Sequence, residues 1–474
     1  MYKHKLWSLF LLMLLCMLTS CGEIPTPLPD GPGTPATPGM ESYPQPTSLQ
    51  ARPPALEQTS LPAPPVMTVR PAETLVPRPT YTPGGPTKPP APTVLVAPFP
   101  TPDFPPAPAG EPPVEIQTLW YPYLSDPDSQ PLLRAVQLDR QGQRWGDAEQ
   151  NLNLGLKTGW PGPRLGSLCL APDGHSFIAD ALYGEDHRLF WVQPASGKVE
   201  AIAGAVSEPA TFMAWGLGTQ VFLEIHPGDL LAEIRLVDLD SPEYRVIPLP
   251  AREGGYQGSR ALALSPDGMH LADAIMYGPT ASHPGARLEI GLRSFPEGAR
   301  AVVSQYYFSP TAGNPSDSPS IVRRSLAWSP DGAHLALVLF RESRAELWLI
   351  DPETGEASSR AQGLTEHWPA VWSADGRFLA FIKEDAVNGP SPVTNLWLYD
   401  VAAFGERPLT DYRDRQVTAV TWSPDGQHLA FSITLANYGE VRIISLDGGE
   451  SYPVAGPTAP YAPVLWLPQE GGER

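Results

Sequence analysis

Cysteine is almost missing from this chain: three in 474 residues, at positions 16, 21 and 169. Cys16 and Cys21 lie at the extreme N-terminus, so Cys169 stands alone further along and a disulfide-stapled fold is excluded. The N-terminal apolar run, Leu6 to Leu18, is 13 residues long and broken at Ser8, too short to cross a bilayer as a helix. Positive charge is scarce as well, with 32 Lys and Arg against 51 Asp and Glu. From residue 114 onward the balance is 26 against 44. Such a domain repels nucleic acid and anionic membrane surfaces and favours basic partners or divalent cations. No nucleic-acid partner is expected. The sequence also lacks Gly-x-Ser-x-Gly, the elbow that serine hydrolases need to expose their nucleophile.

What the N-terminus does contain is an export signal. Lys3, His4 and Lys5 form a basic head before the apolar run, which leads into Leu18-Thr19-Ser20-Cys21. That tetrapeptide resembles the lipobox of bacterial lipoproteins. The resemblance implies cleavage after Ser20, a diacylglycerol on the Cys21 thiol, and an exported protein held on the extracytoplasmic face of a membrane. Two or three acyl chains would anchor it stably.

Proline is abundant instead, 60 in all. Residues 24 to 113 hold 29 of them, with few charges and no hydrophobic period. Proline fixes φ and removes amide donors, so residues 21–113 are expected to form a disordered, largely polyproline-II tether after the lipidated cysteine. Its Thr and Ser residues leave glycosylation open.

Beyond the tether a motif recurs. "VTWSPDGQHLAF" begins at Val420, "LAWSPDGAHLAL" at Leu326, "LALSPDGMHLAD" at Leu262, "AVWSADGRFLAF" at Ala370 and "LCLAPDGHSFIA" at Leu168. Taking Leu170, Trp215, Leu264, Trp328, Trp372, Trp422 and Trp466 as anchors, the spacings are 45, 49, 64, 44, 50 and 44 residues. Short strands at such a period predict an all-β fold, a β-propeller over residues 114–474. Seven blades are expected, closed by pairing the Trp466 segment with strands read at "EIQTLWYPYL", "PLLRAVQLD" and "QRWGD"; six is the alternative. Pro, Asp and Gly in the motif are corner residues: proline fixes φ, aspartate bonds nearby amides, and glycine takes the left-handed conformation. A catalytic aspartate has no reason to recur five times. His270, His334 and His428 recur too, but equivalent positions on separate blades lie too far apart to share one ion. Cys169 falls where other units carry Ala263, Ala327, Val371 and Thr421, and reads as a packing residue.

Trp-Ser-Pro-Asp-Gly-x-x-Leu-Ala-Phe followed by "ELWLIDPETGE" from Glu346 resembles the WD-like propeller repeats of the TolB type. The resemblance runs from Leu168 to Trp466, strongly in four copies and weakly in three. It implies a periplasmic or surface propeller that binds other envelope proteins and carries no chemistry, hence no cofactor and no metal. Prolyl oligopeptidases share such repeats, but eight residues follow Trp466 here, and no hydrolase domain is expected. TolB itself has an N-terminal α/β domain where this chain has its tether.

Rigid propellers carry function on their variable loops. The long connections here fall on one face, and Tyr256, Tyr306, Tyr307, Arg323, Arg324, Trp368, Tyr412 and Arg413 lie in or beside them. Tyr, Trp and Arg are common binding anchors, so this group is the candidate face for an envelope protein or a cell-wall glycan, with the protein itself a monomer. The alternative is an axial metal site of the lactonase kind, a hydrolase whose ligands would converge on the central channel.

Overall fold

The repeated corner is built from one more residue than turn propensities announce. Ser423 donates its hydroxyl to Asp425 Oδ1 at 2.6 Å, and the same hydroxyl oxygen accepts the His428 amide at 2.9 Å. Asp425 Oδ1 also accepts the Gln427 amide at 3.0 Å, and Gly426 closes the turn at φ +70°. The pattern repeats at Ser265–Asp267, Ser329–Asp331 and Ser373–Asp375. Ser329 and the Ala333 amide hold the Asp331 carboxyl below its ordinary value. In the first copy Ala171 replaces the serine, and Asp173 bonds the Ser176 amide and hydroxyl instead. His270, His334 and His428 therefore each spend a backbone amide on closing a corner. Asp425→Ala removes two such bonds from one corner of many. It is expected to lower stability by about 1 kcal/mol in urea unfolding while the fold and partner binding persist.

The structure, a computed structural model, describes residues 117–123, 132–139, 141–144, 150–154, 164–183, 186–202, 210–225, 233–241, 243–248, 260–280, 284–309, 319–341, 344–385, 393–435 and 438–468. The expected export signal, Cys21 and the proline-rich segment lie outside them. Among the described residues no helix is long and apolar enough to cross a membrane. Nearly everything is strand, arranged in antiparallel sets of four. The first three sets are Arg164–Leu170 to Lys198–Ala201, Ala210–Trp215 to Tyr244–Ile247, and Arg260–Leu264 to Ala301–Tyr307. A fourth begins with the split strand Ser320–Ile321 and Ala327–Trp328 and ends at Ala357–Leu364. The fifth runs from Val371–Trp372 to Gly405–Pro408, and the sixth from Gln416–Trp422 to Tyr452–Thr458.

A seventh set joins the two ends of the domain. Leu465–Leu467 pairs with Gln117–Tyr123, bringing Thr118 opposite Leu467, Leu119 opposite Trp466 and Trp120 opposite Leu465. Leu132–Leu138 and Gln150–Leu152 complete it. One expectation needs correction here: the third strand that pairs with Leu133–Ala135 is Gln150–Leu152, whereas in "QRWGD" Arg144 bridges Leu138 and the last three residues lie outside the described ones. The reason is burial. Leu152 and Leu154 supply the apolar side chains that pack against the first set.

Alternate residues on each strand face opposite neighbours, so every sheet contributes to two apolar layers. Seven clusters result, each shared by consecutive sets; Trp120, Leu133, Phe177 and Leu465 fill the one between the seventh set and the first. The sets thus close into a ring, a β-propeller with its axis along the first strands. Tryptophan adds a polar link. The indole N–H of Trp215 donates to Cys169 O at 3.2 Å, Trp328 to Ala263 O at 3.1 Å, Trp372 to Ala327 O at 3.2 Å and Trp422 to Val371 O at 3.0 Å. Each acceptor is the residue just before the preceding set's anchor. Trp466, in the closing set, is buried with its indole nitrogen unpartnered.

Candidate binding site at the mouth of the axial channel

Strand direction separates the two faces. Each first strand runs toward its Ser-Pro-Asp-Gly corner, so the third-to-fourth turns share that face with the corners. The second-to-third connections and the links between sets occupy the opposite face. Position along the first strand then decides what a side chain sees. Two residues before the anchors stand Leu168, Met213, Leu262, Leu326, Val420 and Val464, which wall an axial cavity of about 450 Å³. This wall is apolar. Four residues before the anchors stand Gly166, Arg324, Trp368 and Thr418, where the channel opens toward the long-connection face.

At that opening lies a second cavity, of about 560 Å³, that shares His367 and Trp368 with the channel. Thr365, Glu366, Glu384, Thr394, Gln416 and Tyr461 contribute to its rim. Tyr461 adopts φ +62°, a left-handed conformation that costs an aromatic residue energy and persists only when neighbours hold it. Its amide donates to Thr434 Oγ1 at 3.3 Å, and its hydroxyl donates to Gln416 Oε1 at 3.0 Å. Nearly half of the residue remains exposed, 47%.

Arg324, also left-handed at φ +58°, reaches from the fourth set to the first. Its guanidinium bonds the Ser167 hydroxyl and stands 3.6 Å from Asp180 Oδ2 and 3.9 Å from Cys169 Sγ. Asp180 is buried, so the two charges offset each other inside the channel. Burial pushes the Cys169 thiol up, against the opposing pull of Arg324, and keeps it protonated at neutral pH. The geometry gives Cys169 no activated nucleophile.

Of the eight residues singled out from sequence, the structure brings Arg324 and Trp368 together at the channel. Tyr256 lies outside the described residues. Tyr306 is a strand residue: its hydroxyl donates to Ala357 O and accepts the Ala357 amide, both at 3.0 Å, and its ring packs edge-on against Trp348. Tyr307 ends the same strand, exposed, and Arg323 is exposed beside Arg324. Tyr412 ties the fifth and sixth sets together through Ser451 at 2.7 Å and the Asn395 side chain at 2.7 Å. Arg413 is exposed and paired with Asp411 at 2.7 Å. Sequence reasoning missed Tyr461, Gln416 and Glu384. Position offered a partial signal for Tyr461 and Gln416, which stand just beyond four residues before their anchors, though not for the conformation that holds Tyr461; Glu384, on a second strand, carried none.

No protein-family model matches the chain. A stretch of 99 residues is 29% identical to the uncharacterized peptidase YuxL of Bacillus subtilis, spanning 20% of this chain and 15% of that protein. TolB from Acinetobacter baumannii is similar in structure, 13% identical with a TM-score of 0.41, over 74% of this chain and 67% of that one. An oligogalacturonate lyase in complex with manganese is 13% identical with a TM-score of 0.46, over 68% and 84%.

Proposed function

We propose that this protein is a lipid-anchored component of a bacterial cell envelope whose propeller binds a protein or cell-wall partner, without catalysis, through its long-connection face. The observation that carries the reading is the mouth cavity, where Trp368 and the held ring of Tyr461 flank an opening ringed with polar side chains. Aromatic anchors on a rigid scaffold beside a concave, mostly apolar recess are the usual form of a binding site. The channel beneath it, whose lining is mostly apolar and includes the cationic Arg324, favours this over an axial metal site, which needs converging carboxylate or histidine ligands.

Affinity capture with the detergent-solubilised full chain tests the proposal. A partner retained by the wild type and lost with Trp368→Leu supports it; retention with both proteins places binding elsewhere and sinks it. The anchor rests on Leu18-Thr19-Ser20-Cys21 alone. Cys21→Ser is expected to move the protein from the membrane fraction to the soluble extracytoplasmic fraction. Continued sedimentation with membranes after this change means that the hold lies elsewhere.

A further inference from the structure

We infer that the mouth cavity receives a cationic group, the ammonium or guanidinium of a basic polypeptide segment. This rests on the partner-binding reading above and gives its chemistry. Glu366 and Glu384 both line the cavity, the first from the connection after the fourth set and the second from the fifth set. None of the described residues lining it is Lys or Arg. Lys383, next to Glu384, alternates to the other side of its strand, where its ammonium bonds Glu406 at 2.7 Å and lies 4.4 Å from the Trp397 ring centre. The carboxylates of the mouth are thus not neutralised by that lysine.

Two further features suit a cation. Trp368 and Tyr461 present aromatic rings, whose faces attract positive charge. The Thr365 hydroxyl oxygen is buried in the same wall and has no hydrogen-bond partner. A hydroxyl both donates and accepts, so it can take an N–H from an ammonium or guanidinium. Glu366 already has His367 Nε2 at 3.8 Å, but a glycan, though it would stack on the rings, would bring no counter-charge to Glu384. A bare divalent ion would need six or more oxygens at about 2.3–2.6 Å, a density that this wide aromatic rim does not offer. The surplus of acidic residues over the domain would steer a basic segment toward the face before contact.

The test measures binding of a fluorescent octalysine peptide to the full chain in detergent at physiological salt, by anisotropy. Glu366→Gln with Glu384→Gln is expected to weaken binding about 10-fold, and Trp368→Leu about 5-fold. Glu353→Gln with Glu356→Gln removes the same charge from a third-to-fourth turn on the opposite face and is expected to change affinity less than about 2-fold. Equal losses from the two glutamine pairs mean that net charge alone attracts the peptide, and the inference fails. It fails equally if octalysine does not bind the wild type. A partner captured through Trp368 but indifferent to Glu366→Gln with Glu384→Gln overturns the cationic assignment and leaves the binding site standing. Capture indifferent to Trp368→Leu overturns the site itself.

Discussion

A chain ending at Pro463 is expected to lose cooperative unfolding altogether. The deletion removes the strand Leu465–Leu467, whose three side chains are at most 5% exposed. Leu465 and Leu467 belong to the layer shared with the first set and Trp466 to the layer shared with the sixth, so two of the seven interfaces are opened at once. At about 1.5–3 kcal/mol for each buried large side chain, the loss is about 5–9 kcal/mol, the size of a typical domain's entire stability. The strand Gln117–Tyr123 is left with an unpaired edge bearing Leu119 and Trp120, which invites aggregation. Calorimetry and dye binding check this. A sharp transition within a few degrees of the full-length protein would show that the ring does not depend on its closing strand.

The second large effect sits in the third set. Asp273, 1% exposed, accepts from Arg300 Nε at 2.8 and 3.0 Å, with Arg300 Nη2 at 2.7 Å and Arg293 Nη2 at 3.5 Å. Arg300 also contacts Glu289 at 3.3 Å. Gly291 makes the arrangement possible, because a Cβ there would stand 2.4 Å from Arg300 Nε. Asp273→Ala leaves Arg300 with Glu289, which Arg287 also contacts, and Arg293 with the Pro248 carbonyl. Removing one partner of a buried pair costs about 3–5 kcal/mol, far more than the pair itself contributes to stability. Urea unfolding of Asp273→Ala is expected to show a loss of that size, with octalysine binding unchanged in the folded fraction. A loss below 1 kcal/mol would mean that water reaches the cluster.

The layout of the ring was legible because its repeat is written in corner chemistry, and corner chemistry is local. Pro, Asp and Gly act on amides within a few residues, so a single sequence displays them. Closure by Trp466 was legible for a different reason: an apolar strand without partners at one end and surplus strands at the other. The strand at Gln150–Leu152 was not, since Arg144 and Trp145 carry a β-like pattern while the burial that decides depends on the first set. The indole links were also hidden. Their acceptors are backbone carbonyls about one repeat away, which no side-chain pattern records. At the candidate site, residue type pointed to Arg324 and Trp368, but type alone did not separate them from Tyr306 and Tyr412, whose hydroxyls serve packing between neighbouring sets. Tyr461 escaped because its backbone conformation and its bond to Gln416 hold it in place, and neither is a property of sequence neighbours.

Pairing Thr118 with Leu467 also fixes when this protein becomes itself. Leu119 and Trp120 lie more than 300 residues upstream of their mates Trp466 and Leu465. Contacts this distant in sequence form slowly and leave sticky surface uncovered meanwhile. Until Leu465–Leu467 is in place the edge of Gln117–Tyr123 stays open, so closure of the ring waits on the joining of two segments far apart in the chain.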